Sequence, residues 1–366
     1  MVAAFSSLGA FLCLVLSDEG AARPRVTPPA ATGLQRSALT SAATEHAVEA
    51  GLVFLAGLQA RASDGSFAIT DTDKGDCAPL GVSALCTLAF LAAGSAPGRG
   101  PHGAVATRAL DYLLLHTDLG QESRQRGYIS VGGDALSRTH GHGYATLVLA
   151  EAYGMAPDSD RIRSALVAAV ERIAASQGSE GGWGYDPFAS PSHEGSVTIC
   201  MVQALRAARD AGIQVDPTLI ARAEDYVRRL QAQTGLFCYT LGDEKRTSVA
   251  LTAAAISTLN ATGRYDDQAI QSGIDAIWSG LGRRAEKDGK PPEFPEYERL
   301  YLAQAFWQLS DASHFERWFE DERARLLRTQ DSDGSWRDSR FGSAYATAVN
   351  CLVLSLPDAA LPIFQR

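Results

Sequence analysis

Gln177-Gly178-Ser179-Glu180-Gly181-Gly182-Trp183 separates two stretches of helical character, an amphipathic one before it and a nearly uncharged one after it. The same punctuation returns in Gln59-Ala60-Arg61-Ala62-Ser63-Asp64-Gly65-Ser66-Phe67, Gln231-Ala232-Gln233-Thr234-Gly235-Leu236-Phe237 and Gln330-Asp331-Ser332-Asp333-Gly334-Ser335-Trp336. The gaps between these glutamines are one or two multiples of about 50–60 residues, and a fixed period of that order marks an array of supersecondary units. Weaker copies stand where units are missing, around Gly127-Tyr128 and from Trp278 to Phe294. Six helical hairpins then occupy residues 45–366.

The helices before each turn, such as Ala165 to Ile173 and Ile220 to Leu230, space apolar residues by three and four with charges opposite. Those after each turn differ: Pro79 to Ala93, Thr247 to Leu259 and Gly342 to Leu354 carry no charge. A helix apolar all round is buried all round. Six pairs of this kind predict a closed double ring, an all-α α6–α6 toroid with the apolar helices inside. Gly94, Gly154, Gly212 and Gly263 are placed to end inner helices as left-handed C-caps, and Ser196, Thr247 and Ser343 to start them as N-caps.

The formal net charge of −9 and the lack of any Lys/Arg cluster speak against a nucleic-acid partner. No run beyond the N-terminus approaches the roughly 20 apolar residues of a membrane span. Gly9 to Leu16 followed by Gly20-Ala21-Ala22 has the form of a secretory signal over residues 1–22, which points to an exported or periplasmic protein, with a cytoplasmic one as the alternative because no Lys or Arg precedes the run. Residues 23–44 read as a disordered lead-in rich in Pro, Ala, Thr and Ser. The six cysteines form no CxxC pair; Cys86, Cys200 and Cys351 recur early in inner helices, where a small buried side chain suits close packing.

Leu55…Gln59…Gly65-Ser66-Phe67, Ile173…Gln177…Gly181-Gly182-Trp183 and Leu326…Gln330…Gly334-Ser335-Trp336 resemble the QW repeat of the squalene cyclase and protein prenyltransferase superfamily. Gly181-Gly182-Trp183-Gly184-Tyr185 and the closing Leu361-Pro362-Ile363-Phe364-Gln365-Arg366 look most like its short, single-toroid bacterial members. The resemblance covers residues 45–366 and implies an α6–α6 toroid. The superfamily's Asp-x-Asp-Asp acid, its zinc-binding Asp-x-Cys and the thioester of complement-type toroids are absent; Asp71-Thr72-Asp73-Lys74 is the nearest string to the first. Asp71 and Asp73 are therefore the candidate catalytic acids, with a polar surface loop as the alternative, since Lys74 favours ionised carboxylates.

In a closed ring, ligands belong at the mouth where loops surround the axis. Loops entering the inner helices bring Asp76, His140, His142, His193, Glu194, Glu244, Arg246, Glu293, Glu296, Glu298, Asp338 and Arg340 toward one end. His140, His142 and His193, with Asp76 or Glu194, make a candidate set for a divalent metal, against a merely hydrogen-bonded rim. Tyr185, Tyr239 and Tyr301 are candidate binding residues for an apolar ligand, while Trp183, Phe237 and Trp336 read as staples between helices. Three functions follow: an enzyme or binder for an isoprenoid or other apolar small molecule, a scaffold for a protein partner, or a glycan-active toroid pairing Asp71 with Glu194 or Glu296. A wide apolar lumen favours the first and a lumen filled by side chains the second.

Overall fold

The computed structural model describes residues 39–364, apart from 68–71, 73–77, 261–266, 287–290, 339 and 359–360. Outer helices α1 (Ala42–Arg61), α3 (Gly103–Leu115), α5 (Ser159–Ser176), α7 (Pro217–Arg229), α9 (Gln268–Glu286) and α11 (Ser313–Thr329) alternate with six inner ones. These are α2 (Pro79–Ala92), α4 (Arg138–Ala152), α6 (Gly195–Asp210), α8 (Val249–Asn260), α10 (Pro295–Trp307) and α12 (Gly342–Ser355). Each inner helix packs on the next, and α12 packs on α2, so the ring closes. The fold is an α6–α6 toroid. Among the described residues the strands form a two-residue antiparallel ladder, β1 (Phe237–Cys238) with β2 (Thr247–Ser248).

Burial follows the two sequence patterns. Every residue of α2 is buried, whereas α7 buries Leu219, Ile220, Ala223, Tyr226 and Val227 along one stripe. The exception is α10, whose first turn buries Glu296, Glu298 and Arg299. Arg299 holds Glu296 at 3.2 Å and also pairs with Glu322, while Arg284 reaches Glu298 at 2.5 Å. Pairing of this kind offsets the cost of burying those charges. Among the described cysteines Cys200 and Cys351 mark the closest helix contacts: a Cβ added to Gly143 or Gly51 would lie 2.6 Å from the respective sulfur.

One hydrogen-bond pattern explains the turns. The side-chain amide of Gln177 donates to Gly181 O and to Leu219 O in the first turn of α7, both at 2.9 Å. Gln59 does the same to Gly65 O and Val105 O, and Gln231 to Gly235 O and Ala269 O. Gln330 donates to Gly334 O and to Ala47 O at 2.8 Å, tying the last repeat to α1. Each glutamine thus locks its own turn and hooks the next hairpin. The turn glycine must approach that neighbour closely: at Gly181 (φ +93°) a Cβ would lie 2.3 Å from Arg222 O, and Gly65, Gly127, Gly235 and Gly334 repeat the approach.

The aromatic two residues on is a staple. Trp183 Nε1–H donates to Ile173 O at 2.8 Å and Trp336 Nε1–H to Leu326 O at 3.0 Å. Its backbone N–H finds a hydroxyl on the following inner helix: Thr198 for Trp183, Thr252 for Phe237, Thr347 for Trp336. Trp278 does not belong to this set. It lies within α9 and stacks on Phe306 at 5.1 Å, because the fifth hairpin extends its outer helix through that position.

The helix starts, not the helix ends, depart from expectation. The expected C-caps Gly94, Gly154 and Gly212 all have positive φ, while Gly263 lies outside the described residues. The expected N-caps do not hold. Glu194, not Ser196, caps α6 by accepting from Ser196 N and Val197 N. Thr247 belongs to β2, Ser343 lies inside α12, and Ser248 accepts from Leu251 N at the start of α8.

Candidate active site at the mouth of the ring

The loops leading into α4, α6 and α8 converge on Glu194. Its carboxylate accepts from Val197 N at 2.6 Å, Ser196 N at 3.0 Å and Ser196 Oγ at 2.8 Å. His140, in the first turn of α4, places Nε2 3.0 Å from Ser196 Oγ and 3.9 Å from the carboxylate. Tyr185 and Tyr239, from the loops entering α6 and α8, meet hydroxyl to hydroxyl at 2.5 Å beside the Glu194 carboxyl, whose charge acts on both phenols. The loops themselves are joined by Gly195 N donating to Tyr239 O. Arg246 covers the Tyr239 ring at 4.1 Å, and Arg138, bent to φ +41°, stands over Tyr185 at 5.8 Å.

Electrostatics follows from this enclosure. Burial pushes Glu194 up to about 7, against the Ser196 and Val197 hydrogen bonds that favour its ionised form. Among the described residues no arginine or lysine pairs with it. A carboxyl that titrates near neutrality can give or take a proton at little cost. Burial also lowers His140 to about 4, so it stands neutral beside the acid. The phenols of Tyr185 and Tyr239 are both raised, first by burial and then by the Glu194 charge, and stay protonated.

Below this mouth the lumen is filled. Gln203 on α6 donates to Gln304 on α10 at 2.7 Å, Ser257 on α8 reaches the same Gln304 oxygen at 3.3 Å, and Tyr301 donates to Gln203 Oε1 at 3.3 Å. Tyr144 and Tyr301 hydroxyls lie 3.5 Å apart, although α4 and α10 face each other across the ring. At 1.5 Å per residue this belt lies about 12 Å below the helix N-termini. Two open hollows among the described residues lie elsewhere, one between α1 and the ends of α2 and α12, the other between α10, α11 and α12.

The candidates from sequence fare differently. Tyr185 and Tyr239 come together, whereas Tyr301 is buried in the belt, 4.6 Å from the half-buried Tyr297 ring. The histidines do not assemble. Residues 140 and 142 are about 200° apart around a helix, so His142 points away from His140 and accepts from Ile129 N at 3.2 Å. It occupies the place that Thr198, Thr252 and Thr347 hold in other repeats, and burial lowers it to about 3. His193 packs over Gly178, where a Cβ would lie 1.7 Å from Nε2, and meets Tyr226 edge-on at 5.8 Å. The divalent-metal set is corrected accordingly: among the described residues no cluster of three His, Cys, Asp or Glu could hold an ion. Asp71, Asp73 and Asp76 lie outside the described residues.

Sequence reading placed Glu194 on the rim but missed its role as the centre of the mouth, and missed the belt entirely. The available signal was Gln203 and Gln304 sitting midway along otherwise apolar inner helices.

No family description and no curated protein matches the sequence. Solved structures do. A variant of the type II terpene cyclase MstE from Scytonema, in complex with geranylgeranyl dihydroxybenzoate, superposes with a TM-score of 0.57 at 18% identity, covering 86% of this chain and 97% of that one. A D-mannose isomerase gives 0.62 at 15% identity over 86% and 98%. An inactive α-1,6-mannanase variant of Salegentibacter, in complex with α-1,6-mannotriose, gives 0.63 at 9% identity over 87% and 99%. The chain shares the toroid fold of a terpene cyclase and of sugar-active enzymes alike. Identities this low speak for the fold alone.

Proposed function

We propose that the protein takes an apolar or amphiphilic small molecule, isoprenoid in class, across the mouth of the ring, and that Glu194 exchanges a proton with it. The observation that carries this reading is a buried carboxyl at the mouth, unpaired with any cation among the described residues and ringed by Tyr185, Tyr239, His140 and Ser196. Protonated Glu194 can transfer its proton to an alkene or carbonyl of the ligand, and the resulting carboxylate is held by Ser196 and the α6 N-terminus. The likeness to a terpene cyclase supports the ligand class. The polar belt argues for a ligand lying over the mouth, since it leaves no apolar tunnel.

That belt also favours a second reading, a toroid that binds a protein partner and has no chemistry of its own. Native mass spectrometry of purified protein, followed by titration with farnesol and geranylgeraniol, separates the two. A co-purifying polyprenyl lipid, or saturable binding that Tyr185→Ala abolishes and Glu194→Gln retains, supports the first. No lipid and no binding would leave the scaffold reading standing.

A further inference from the structure

We infer that the far end of the ring, where the inner helices finish, is a peptide-binding site that the chain fills with its own residues 361–364. That segment belongs to no repeat. The ring closes without it, through α12 packed on α2 and Gln330 hooked to Ala47 O. After α12 the chain turns through Leu356–Asp358, then meets α4 and α6 in a short 3₁₀ turn over Pro362–Phe364. In a ring of six, α6 stands opposite α12, so the segment reaches the far side of the opening.

Helix spacing places the contact inside that opening. Glu151 follows Tyr144 by seven residues, two turns along α4, which returns it to within about 20° of the same face and about 10 Å farther on. Tyr144 meets Tyr301 across the lumen, so Glu151 faces the lumen beneath the polar belt. Its Oε1 accepts from Ile363 N at 3.1 Å. Leu361 and Ile363 are buried, at 2% and 4% exposure, while Pro362 between them is exposed. A main-chain hydrogen bond for affinity, with alternate side chains buried for specificity, is a general means of holding a short peptide. The proline fixes one backbone angle between the two anchors and so lowers the entropy lost on seating. The hold is light. Glu151 is buried, yet its Oε2 meets no donor among the described residues. A buried carboxylate oxygen in that state is costly, and water relieves the cost when the segment lifts.

The test uses the full chain carrying Leu361→Asp and Ile363→Asp together, which unseats the segment, and a synthetic hexapeptide of residues 361–366, followed by calorimetry. The hexapeptide should bind this variant saturably, and the wild-type chain at least tenfold more weakly, because there the resident segment competes. A scrambled hexapeptide should not bind. Glu151→Leu, added to the variant, removes the acceptor of Ile363 N–H and should weaken binding severalfold. No saturable binding by a variant with native circular dichroism would overturn the site. So would equal binding of the scrambled peptide, or equal binding by the wild-type chain. Should the variant not fold, hydrogen exchange of the wild-type chain decides. Ile363 N–H should exchange at least tenfold faster than Leu147 N–H midway along α4, through local lifting of the segment. Equal rates would make the segment an inseparable part of the fold and overturn the proposal.

Discussion

Two concentric sets of residues lie at the end of the toroid where the inner helices begin, and they behave differently. In the outer set Gln59, Gln177, Gln231 and Gln330 each make the same pair of bonds, one to their own turn and one to the next hairpin. The inner set is far less regular: His140, Glu194 and Tyr239 come from successive loops and have three chemistries, and only Tyr185 and Tyr239 share a place in their repeats. Every wedge of a ring faces the same packing problem, so its solution recurs. A ligand site faces one problem once. Repetition within the chain therefore marks scaffold, and departure from it marks candidate chemistry.

The largest effect should come from breaking the outer set at the tightest of its glutamine-marked turns. Gly181→Ala places a methyl 2.3 Å from Arg222 O on a backbone at φ +93°, and should destabilise the fold by about 3 kcal/mol or more. Urea unfolding checks it; a change under about 1 kcal/mol would mean the turn relaxes freely. Gln177→Leu strips donors from Gly181 O and Leu219 O, and should cost about 2–3 kcal/mol while leaving any ligand binding at the mouth unaltered. Equal losses of stability and of binding would collapse the distinction between the two sets.

His142 sharpens the comparison, since it has the residue type of the inner set and the place of the outer one. His142→Leu removes the acceptor of Ile129 N–H and should cost about 1–3 kcal/mol. His142→Thr restores a hydroxyl where three other repeats have one, and should recover about 1 kcal/mol of that loss. Equal stability of the two variants would show that the histidine is held for something other than this bond.

The same division accounts for what could be read from sequence. The toroid was legible because its cause is local and repeated: Pro79 to Ala92 can only be buried, and Gln–Gly–aromatic turns recur at a near-constant period. The mouth was legible as a collection of loop residues but not as directions. His140 and His142 share a helix turn yet point apart, and Ser196 looked like the cap until Glu194 filled that position. The lumen was illegible because Tyr144, Gln203, Ser257 and Gln304 are brought together only by ring closure. Charges in α10 misled for a related reason, their partners Arg284 and Glu322 lying on α9 and α11.

A gradual effect, spread over pH, tests the inner set. Glu194 is raised from its ordinary 4.5 to about 7 in the folded chain by burial. Between those values the folded state binds more protons than the unfolded one, so this group's contribution to stability falls as pH rises. Glu151, also raised to about 7 by burial, acts in the same direction. His140 and His142, lowered to about 4 and about 3, act oppositely below 6.5, where the unfolded imidazoles take up protons first. The wild-type curve is therefore a compromise, and only its difference from a variant isolates one group. Glu194→Gln should remove a downward slope of up to roughly 1.4 kcal/mol per pH unit between about pH 5 and 7, while Glu151→Gln removes a similar slope without touching the mouth. If Glu194→Gln leaves the difference curve flat, the carboxyl is already ionised at pH 5 and acts as a helix cap alone, and the proton-exchange role at the mouth falls with it.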